Sequence, residues 1–242
     1  MRQLEQLGYG DRPDQHLELV RADAPVGLAV LVHGGYWREA FTLDLMRGLA
    51  QSLAAAGWDV VNVEYRRGPQ AVWPAPLDDV VAACALARSL RRTGPLVVVG
   101  HSVGGQLALL AGARADAVVA LAPVTDAART HREGLGDDAA AEYFRCGPED
   151  APALFRSASP VALLAADMPR TLVVHGSDDD RVPVRHTVDY AAAAWDAGCP
   201  LDLVLPGRLG HREAINPTAA CWPQIHAWLA GLYAGTLSTP SA

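Results

Sequence analysis

Long apolar runs are missing from this 242-residue sequence, and no stretch approaches the roughly 20 apolar residues that a transmembrane helix needs. The N-terminal residues also lack the basic-then-apolar pattern of a secretion signal. We therefore expect a cytoplasmic protein that has no membrane partner.

Basic charge is scarce as well. The sequence has 20 Lys and Arg residues against 27 Asp and Glu residues, which gives a formal net charge of −7. Because a nucleic-acid partner requires an excess of basic side chains on one face, this balance argues against such a partner. Half of the residues are hydrophobic, so the chain can form a full core.

Cysteines are few and lie far apart in the sequence. The four are Cys84, Cys146, Cys199 and Cys221. They form no CxxC pair and have no metal-ligand spacing, so we interpret them as reduced structural thiols. HExxH, GxGxxG and P-loop motifs are also missing, and we expect neither a metal nor a cofactor.

Short apolar runs alternate with helical patterns along the chain. The predicted strands are 15–22, 28–35, 58–66, 95–100, 117–124, 170–176 and 201–207. The predicted helices are 43–56, 74–92, 106–114, 184–198 and 218–232. This order indicates an α/β fold with a mostly parallel central sheet and helices on both faces. Alternating polarity marks 15–22 as an antiparallel strand in an edge hairpin.

One stretch, 125–168, breaks this alternation. It is polar and contains several short helical patterns, so we expect a short cap over the functional site. We expect residues 1–235 to form a single domain that includes this insertion. The tail, 236–242, is predicted to be disordered.

The segment GHSVG, at 100–104, lies between a predicted strand and a predicted helix. This is the G-x-S-x-G pattern in the context that a nucleophilic serine requires. A sharp turn brings neighbouring backbone very close, which explains the two glycines. The turn exposes the Ser102 hydroxyl at a helix N-terminus, where negative charge is stabilised. Ser102 is therefore the predicted nucleophile.

The segment HGGYW, at 33–37, follows the first strong apolar strand. Acyl transfer places negative charge on the former carbonyl oxygen, and two fixed N–H donors stabilise it. We expect one donor to be the backbone N–H of Val103 and the other to come from Gly35 or Tyr36. Trp37, and also Trp73, could line an aromatic substrate pocket, with packing in the core as the alternative.

A serine nucleophile needs a general base. Four histidines follow Ser102 in the sequence: His131, His175, His186 and His211. His211 lies in the loop after the last predicted strand, where it can face the nucleophile across the carboxyl edge of the sheet. His211 is therefore the predicted base.

The acid that orients the base should follow the strand 170–176. In α/β folds whose nucleophile lies in a G-x-S-x-G turn, the catalytic residues follow the order Ser, acid, His along the chain. Three candidates occur there in succession: Asp178, Asp179 and Asp180. Periodicity alone does not choose among them.

Together these motifs resemble the α/β-hydrolase superfamily over nearly the whole chain. HGGYW is similar to the HGGxW motif of kynurenine formamidases and related bacterial esterases. YRRGP (65–69) and WPAPLDD (73–79) look like a stretch of hormone-sensitive-lipase-like esterases. HGSDDDRVP (175–183) resembles the HGxxDxxVP acid loop of the superfamily. That match implies Asp179 as the acid, with Asp178 second.

Two residues depart from the formamidase pattern. Val103 stands where that pattern has a small residue, and Arg212 stands where an aromatic residue commonly follows the histidine. We expect the larger Val103 side chain to alter the acyl pocket.

The predicted function is a serine hydrolase that cleaves small or aromatic carboxylic esters through an acyl-enzyme intermediate. The alternative is an arylformamidase acting on N-formylkynurenine or similar formamides. A non-catalytic ligand-binding protein of the same fold is the alternative from another class.

Overall fold

The computed structural model describes residues 3–234. The tail predicted to be disordered, 236–242, lies outside the described residues.

Eight strands of the described chain form one sheet in the order β1-β2-β4-β3-β5-β6-β7-β8. The strands are β1 (Leu4–Gly8), β2 (His16–Val20), β3 (Gly27–Val32), β4 (Trp58–Val63), β5 (Leu96–His101), β6 (Ala117–Leu121), β7 (Arg170–Val174) and β8 (Leu201–Val204). β2 runs antiparallel to both β1 and β4, and every pairing from β4 to β8 is parallel. The predicted mostly parallel sheet is confirmed.

Eight α-helices accompany the sheet in the described residues. They are α1 (Arg47–Ala55), α2 (Ala75–Leu90), α3 (Val103–Leu110), α4 (Ala127–Arg132), α5 (Leu135–Phe144), α6 (Pro152–Ser157), α7 (Val184–Asp196) and α8 (Trp222–Ala234). One apolar cluster joins the sheet to α2, α3 and α7, and a second joins its opposite face to α1 and α8. The prediction of helices on both faces is therefore correct.

Burial on both faces explains the composition of the central strands. Every residue of β3, β4 and β5 is buried, and these strands are rich in Val and Leu. Their parallel arrangement brings the carboxyl ends of β3, β5 and β7 to the same edge of the sheet. The loops with the predicted site residues leave from that edge.

The prediction that 15–22 is an antiparallel strand in an edge hairpin is confirmed, because β2 pairs antiparallel with β1. β2 is paired on both sides, and β1 occupies the edge of the sheet. β1 carries no alternation of polar and apolar residues in its sequence, and four of its five residues are exposed.

The stretch 125–168 contains α4, α5, α6 and a 3-10 turn at Pro160–Leu163. Its short helices agree with the sequence expectation. Among residues 3–234, we find no helix with the length and apolarity that crossing a membrane requires.

Candidate active site

Ser102 occupies the turn between β5 and α3. Its backbone angles, φ +57° and ψ −120°, are unfavourable for a residue with a side chain. The turn is held by its N–H, which donates to the Leu121 carbonyl at 2.9 Å, and by its carbonyl, which accepts from Gln106 N–H at 3.0 Å. The packed β-strand and helix therefore hold this strained turn in place.

The two glycines of GHSVG permit the turn. A Cβ atom on Gly100 would collide with the carbonyl oxygen of Gly104. A Cβ atom on Gly104 would collide with the carbonyl oxygens of Val32 and His33. Only glycine fits at either position without movement of the backbone.

Ser102 and His211 line the same cavity, which has a volume of about 170 Å³. Gly35 and Tyr36 also line it, as do the apolar side chains of Phe41, Leu45 and Ile215. The structure thus brings the predicted nucleophile, the predicted base and the HGGYW loop to one place.

His211 is joined to Asp179, with 2.7 Å between Nδ1 and Oδ2. Because a carboxylate can only accept, this partner assigns the hydrogen to Nδ1 and leaves Nε2 free to accept a proton. The other carboxylate oxygen of Asp179 accepts from the backbone N–H groups of Arg181 and Val182, each at 2.8 Å. The carboxylate therefore has a fixed orientation toward the imidazole.

Asp179 is buried, and burial alone would raise its pKa. Hydrogen bonds from His175 and His211 outweigh the burial and hold the pKa of Asp179 well below its usual range. The side chain is thus an anion throughout the neutral range, as an orienting acid must be.

His175 is a contact of Asp179 that the sequence analysis considered only as a rival base. Its Nε2 lies 3.1 Å from Asp179 Oδ2 and 2.9 Å from the Val182 carbonyl oxygen. Its Nδ1 lies 2.7 Å from the Thr187 hydroxyl. The four-residue spacing between His175 and Asp179 was the available signal for this pair.

The neighbouring aspartates point elsewhere. Asp178 is exposed and accepts a hydrogen bond from the Ser177 hydroxyl at 2.7 Å. Asp180 is 76% exposed, and its nearest cation is Arg181 at 3.8 Å. Of the three candidates, Asp179 is the one that contacts His211.

His101 contacts His211, the predicted base, and no motif in the sequence indicated this contact. Its Nε2 lies 3.0 Å from the His211 carbonyl oxygen, and the two rings are 4.6 Å apart. Burial, together with the charge on His211, lowers the pKa of His101 to about 3. His101 is therefore a neutral donor that supports the backbone of the base.

The HGGYW loop adopts an uncommon backbone conformation, with positive φ at Gly35 (+129°), Tyr36 (+52°) and Trp37 (+58°). It lies very close to the serine, since a Cβ atom on Gly34 would be 2.8 Å from the Ser102 Cβ. Within the described chain, no protein oxygen accepts from the N–H groups of Gly35, Tyr36 or Val103. These N–H groups are available to an oxyanion.

A buried polar network supports this loop. His33 Nε2 lies 2.9 Å from Glu64 Oε1, and Arg67 donates to the same carboxylate oxygen at 2.7 Å. The Tyr65 ring stacks on His33 at 4.3 Å, and its hydroxyl donates to the His33 carbonyl at 2.8 Å. His33 therefore positions the loop.

Tyr36 connects the loop to two other segments. Its hydroxyl donates to the Arg181 carbonyl at 2.8 Å, and its ring packs against Gly136 of α5. Burial is the main cause that raises the pKa of Tyr36 to about 12. Gly136 and Asp137 bring the stretch 125–168 into the lining of the cavity.

The predicted pocket residues Trp37 and Trp73 need correction. Both indoles belong to the apolar core, and neither is among the described residues that line the cavity at Ser102. Trp37 Nε1 donates to Gln106 at 3.2 Å, and Trp73 Nε1 donates to Ser157 at 2.9 Å. The left-handed backbone at Trp37 directs its side chain inward, which the sequence position could not reveal.

The chain is similar to several known proteins. The BD-FAE family model matches residues 19–193. The chain is 29% identical to Esterase LipC of Mycobacterium tuberculosis, over 90% of this chain and 62% of the relative. It is 32% identical to a kynurenine formamidase of Meyerozyma guilliermondii, over 43% of this chain and 40% of the relative. The chain therefore spans less than two thirds of the length of these relatives.

A solved structure described as a truncated form of a carbohydrate esterase from gut microbiota superposes with a TM-score of 0.81. The alignment covers 95% of each chain at 18% sequence identity. This similarity concerns the fold, and the predicted α/β-hydrolase fold is confirmed.

Proposed function

The chain belongs to the BD-FAE family, and from that premise we propose that it is a carboxylesterase-type serine hydrolase. The observation that carries the proposal is the convergence of Ser102 and the Asp179–His211 pair on one cavity. The similarity to Esterase LipC supports an ester as the substrate.

In the proposed reaction, Ser102 attacks the ester carbonyl carbon while His211 Nε2 takes the hydroxyl proton. His211 then returns this proton to the leaving alcohol as the ester C–O bond breaks. Water enters, gives a proton to His211 and attacks the acyl carbon. The bond between the acyl carbon and the Ser102 oxygen then breaks, His211 returns the proton to that oxygen, and the acid is released. Asp179 holds the correct imidazole tautomer and stabilises the imidazolium in both halves of the reaction.

The developing oxyanion is proposed to bind the N–H of Val103 together with the N–H of Gly35 or Tyr36. The support is that all three donors lack an acceptor among the described residues, and that Val103 begins α3, where the helix dipole favours negative charge. Removing one such donor typically costs about 3–4 kcal/mol of transition-state stabilisation.

The stretch 125–168 is proposed to act as a short cap within a single domain. Its contact between Gly136 and the Tyr36 ring supports this role. The small cavity and its apolar walls favour short acyl groups. The cytoplasmic location remains a prediction from the sequence.

Arylformamidase activity is the second candidate. The observation in its favour is the HGGYW loop together with the similarity to curated kynurenine formamidases. The same serine chemistry cleaves a formamide, with an amine in place of the alcohol as the leaving group.

An acyl-size series tests both candidates. Initial rates are measured with p-nitrophenyl esters from acetate to octanoate, and with N-formylkynurenine, for the wild type and for Ser102→Ala. We expect the highest kcat/KM with acetate or butyrate and a loss of at least about 10³-fold in Ser102→Ala. Preference for N-formylkynurenine would favour the formamidase, and full activity of Ser102→Ala would refute the mechanism.

A further inference from the structure

Three arginines line the cavity at Ser102, although the chain as a whole carries a net charge of −7. They are Arg38, Arg181 and Arg212. Arg38 is neutralised, because its guanidinium lies 2.7 Å from a carboxylate oxygen of Glu142. The other two guanidinium groups require a separate explanation.

Arg212 directly follows the proposed base. Its side chain is exposed and forms no ion pair or hydrogen bond with any residue of the described range. The backbone beside it is fixed, since the His211 carbonyl oxygen meets His101 Nε2 and the Gly210 N–H donates to Glu213. Arg212 therefore contributes to the cavity lining, next to His211, a cation that no described carboxylate pairs.

Arg181 is similarly placed on an anchored backbone. Its N–H donates to Asp179 and its carbonyl accepts from the Tyr36 hydroxyl, each at 2.8 Å. Its side chain is 56% exposed, and the nearest carboxylate, Asp180, is 3.8 Å away. The same contacts that order the acid and the HGGYW loop thus place a second cation at the cavity.

One opposing charge lies in the lining, the Asp137 carboxylate. Among the described residues of the lining, Arg181 and Arg212 outnumber this one carboxylate, which leaves a local positive charge at the cavity. A guanidinium recognises a carboxylate through two parallel hydrogen bonds, and a concave site strengthens the attraction.

We propose that Arg212 and Arg181 select esters that carry a carboxylate on the leaving group. This inference rests on the proposed esterase function. The leaving group is the part specified, because His211 must reach its oxygen to protonate it, and Arg212 is the next residue.

Matched substrates test the selection. The carboxylate substrate is 4-acetoxybenzoate, and its neutral counterpart is 4-acetoxybenzamide. Values of kcat/KM are compared for the wild type, Arg212→Gln, Arg181→Gln and the double variant. Arg156→Gln is the control, because Arg156 is exposed in α6 and is not among the described residues of the lining. Comparing variants on the same substrate cancels differences in intrinsic reactivity.

We expect Arg212→Gln to lower kcat/KM for 4-acetoxybenzoate about two- to fivefold relative to kcat/KM for 4-acetoxybenzamide. The double variant should lose about five- to tenfold, and Arg156→Gln should behave as the wild type. Raising the salt to about 0.5 M should reduce the preference of the wild type.

If the double variant keeps the wild-type ratio of kcat/KM for 4-acetoxybenzoate to kcat/KM for 4-acetoxybenzamide, and still cleaves the ester of 4-acetoxybenzamide, the proposed selection is wrong and the esterase proposal stands. If the wild type cleaves neither ester, the proposed function itself fails. A second pair, mono-4-nitrophenyl glutarate and 4-nitrophenyl valerate, places the carboxylate on the acyl side. An arginine-dependent preference confined to that pair would overturn the assignment to the leaving group.

Discussion

Asp179 is the residue on which most contacts of the site converge. One carboxylate oxygen accepts from two backbone N–H groups, and the other faces both His175 and His211. Such a carboxylate can orient the imidazole without moving, because four contacts fix its plane.

A neutral amide at this position should abolish that function. We expect Asp179→Asn to lower kcat on the order of 10³- to 10⁴-fold, because the amide stabilises the wrong imidazole tautomer. The matched control is Asp178→Asn in the same loop, whose exposed side chain keeps its acceptor for Ser177. Steady-state kinetics of the pair would contradict the assignment if Asp178→Asn were the more damaging change.

His101 gives a prediction about pH and stability. Its pKa is about 3 in the folded chain, against the usual 6.5, so the unfolded chain binds more protons between these values. Its neutral form therefore stabilises the fold above about pH 6.5, and this contribution is lost as the pH falls.

Urea unfolding of the wild type and of His101→Gln should reveal this dependence. Below about pH 6.5, the free energy of unfolding of the wild type should fall relative to that of His101→Gln, by up to about 1.4 kcal/mol for each pH unit. Parallel curves between about pH 7 and about pH 4.5 would show that His101 does not titrate in this way.

Among the elements, the strand–turn–helix unit of β5 and α3 sets the geometry of the nucleophile. Gly104 lies where α3 crosses the end of β3, against the carbonyl oxygens of Val32 and His33. A side chain there must separate the helix from the sheet, which also displaces the serine.

Two glycine-to-alanine substitutions provide a matched test of this packing. Gly104→Ala should destabilise the protein by about 3 kcal/mol or more, because rigid backbone occupies the space. Gly48→Ala, in α1, should stabilise it by about 0.5–1 kcal/mol, since nothing lies within 4 Å of the added carbon. Thermal melts measure both effects, and similar melting temperatures would disprove the steric argument.

The sequence located most elements but not their ends. The strand predicted at 28–35 ends at Val32, and the strand predicted at 117–124 ends at Leu121. In both cases the chain continues as a mostly buried loop at the carboxyl edge, where burial no longer implies a strand. The helix predicted from residue 106 begins at Val103, because the turn at the serine is immediate.

The candidate site was predictable where chain order and motif determine a position. Ser102, Asp179 and His211 lie in the expected loops, and the structure brings them to one edge of the sheet. The contact of His101 with His211 was not predictable, since it depends on the packing of separate segments, whereas the four-residue spacing of His175 and Asp179 was a local signal. The inward direction of Trp37 likewise depends on a local backbone conformation.

At the scale of the whole molecule, the parallel sheet is what unites these distant segments. The loops after β3, β5, β7 and β8 all leave its carboxyl edge, and each supplies residues to the same cavity. A reactive serine should therefore exist only in the folded chain, with its histidine and aspartate in place.

Labelling with a fluorophosphonate probe, followed by mass spectrometry of the intact protein and its peptides, tests that claim most directly. We expect one adduct per chain, located on Ser102 and absent from Ser102→Ala. Labelling should be slower by at least about 10²-fold in folded His211→Ala, because the serine then lacks its base. An unlabelled wild-type protein, an adduct on another residue, or labelling unaffected by His211→Ala would contradict the account.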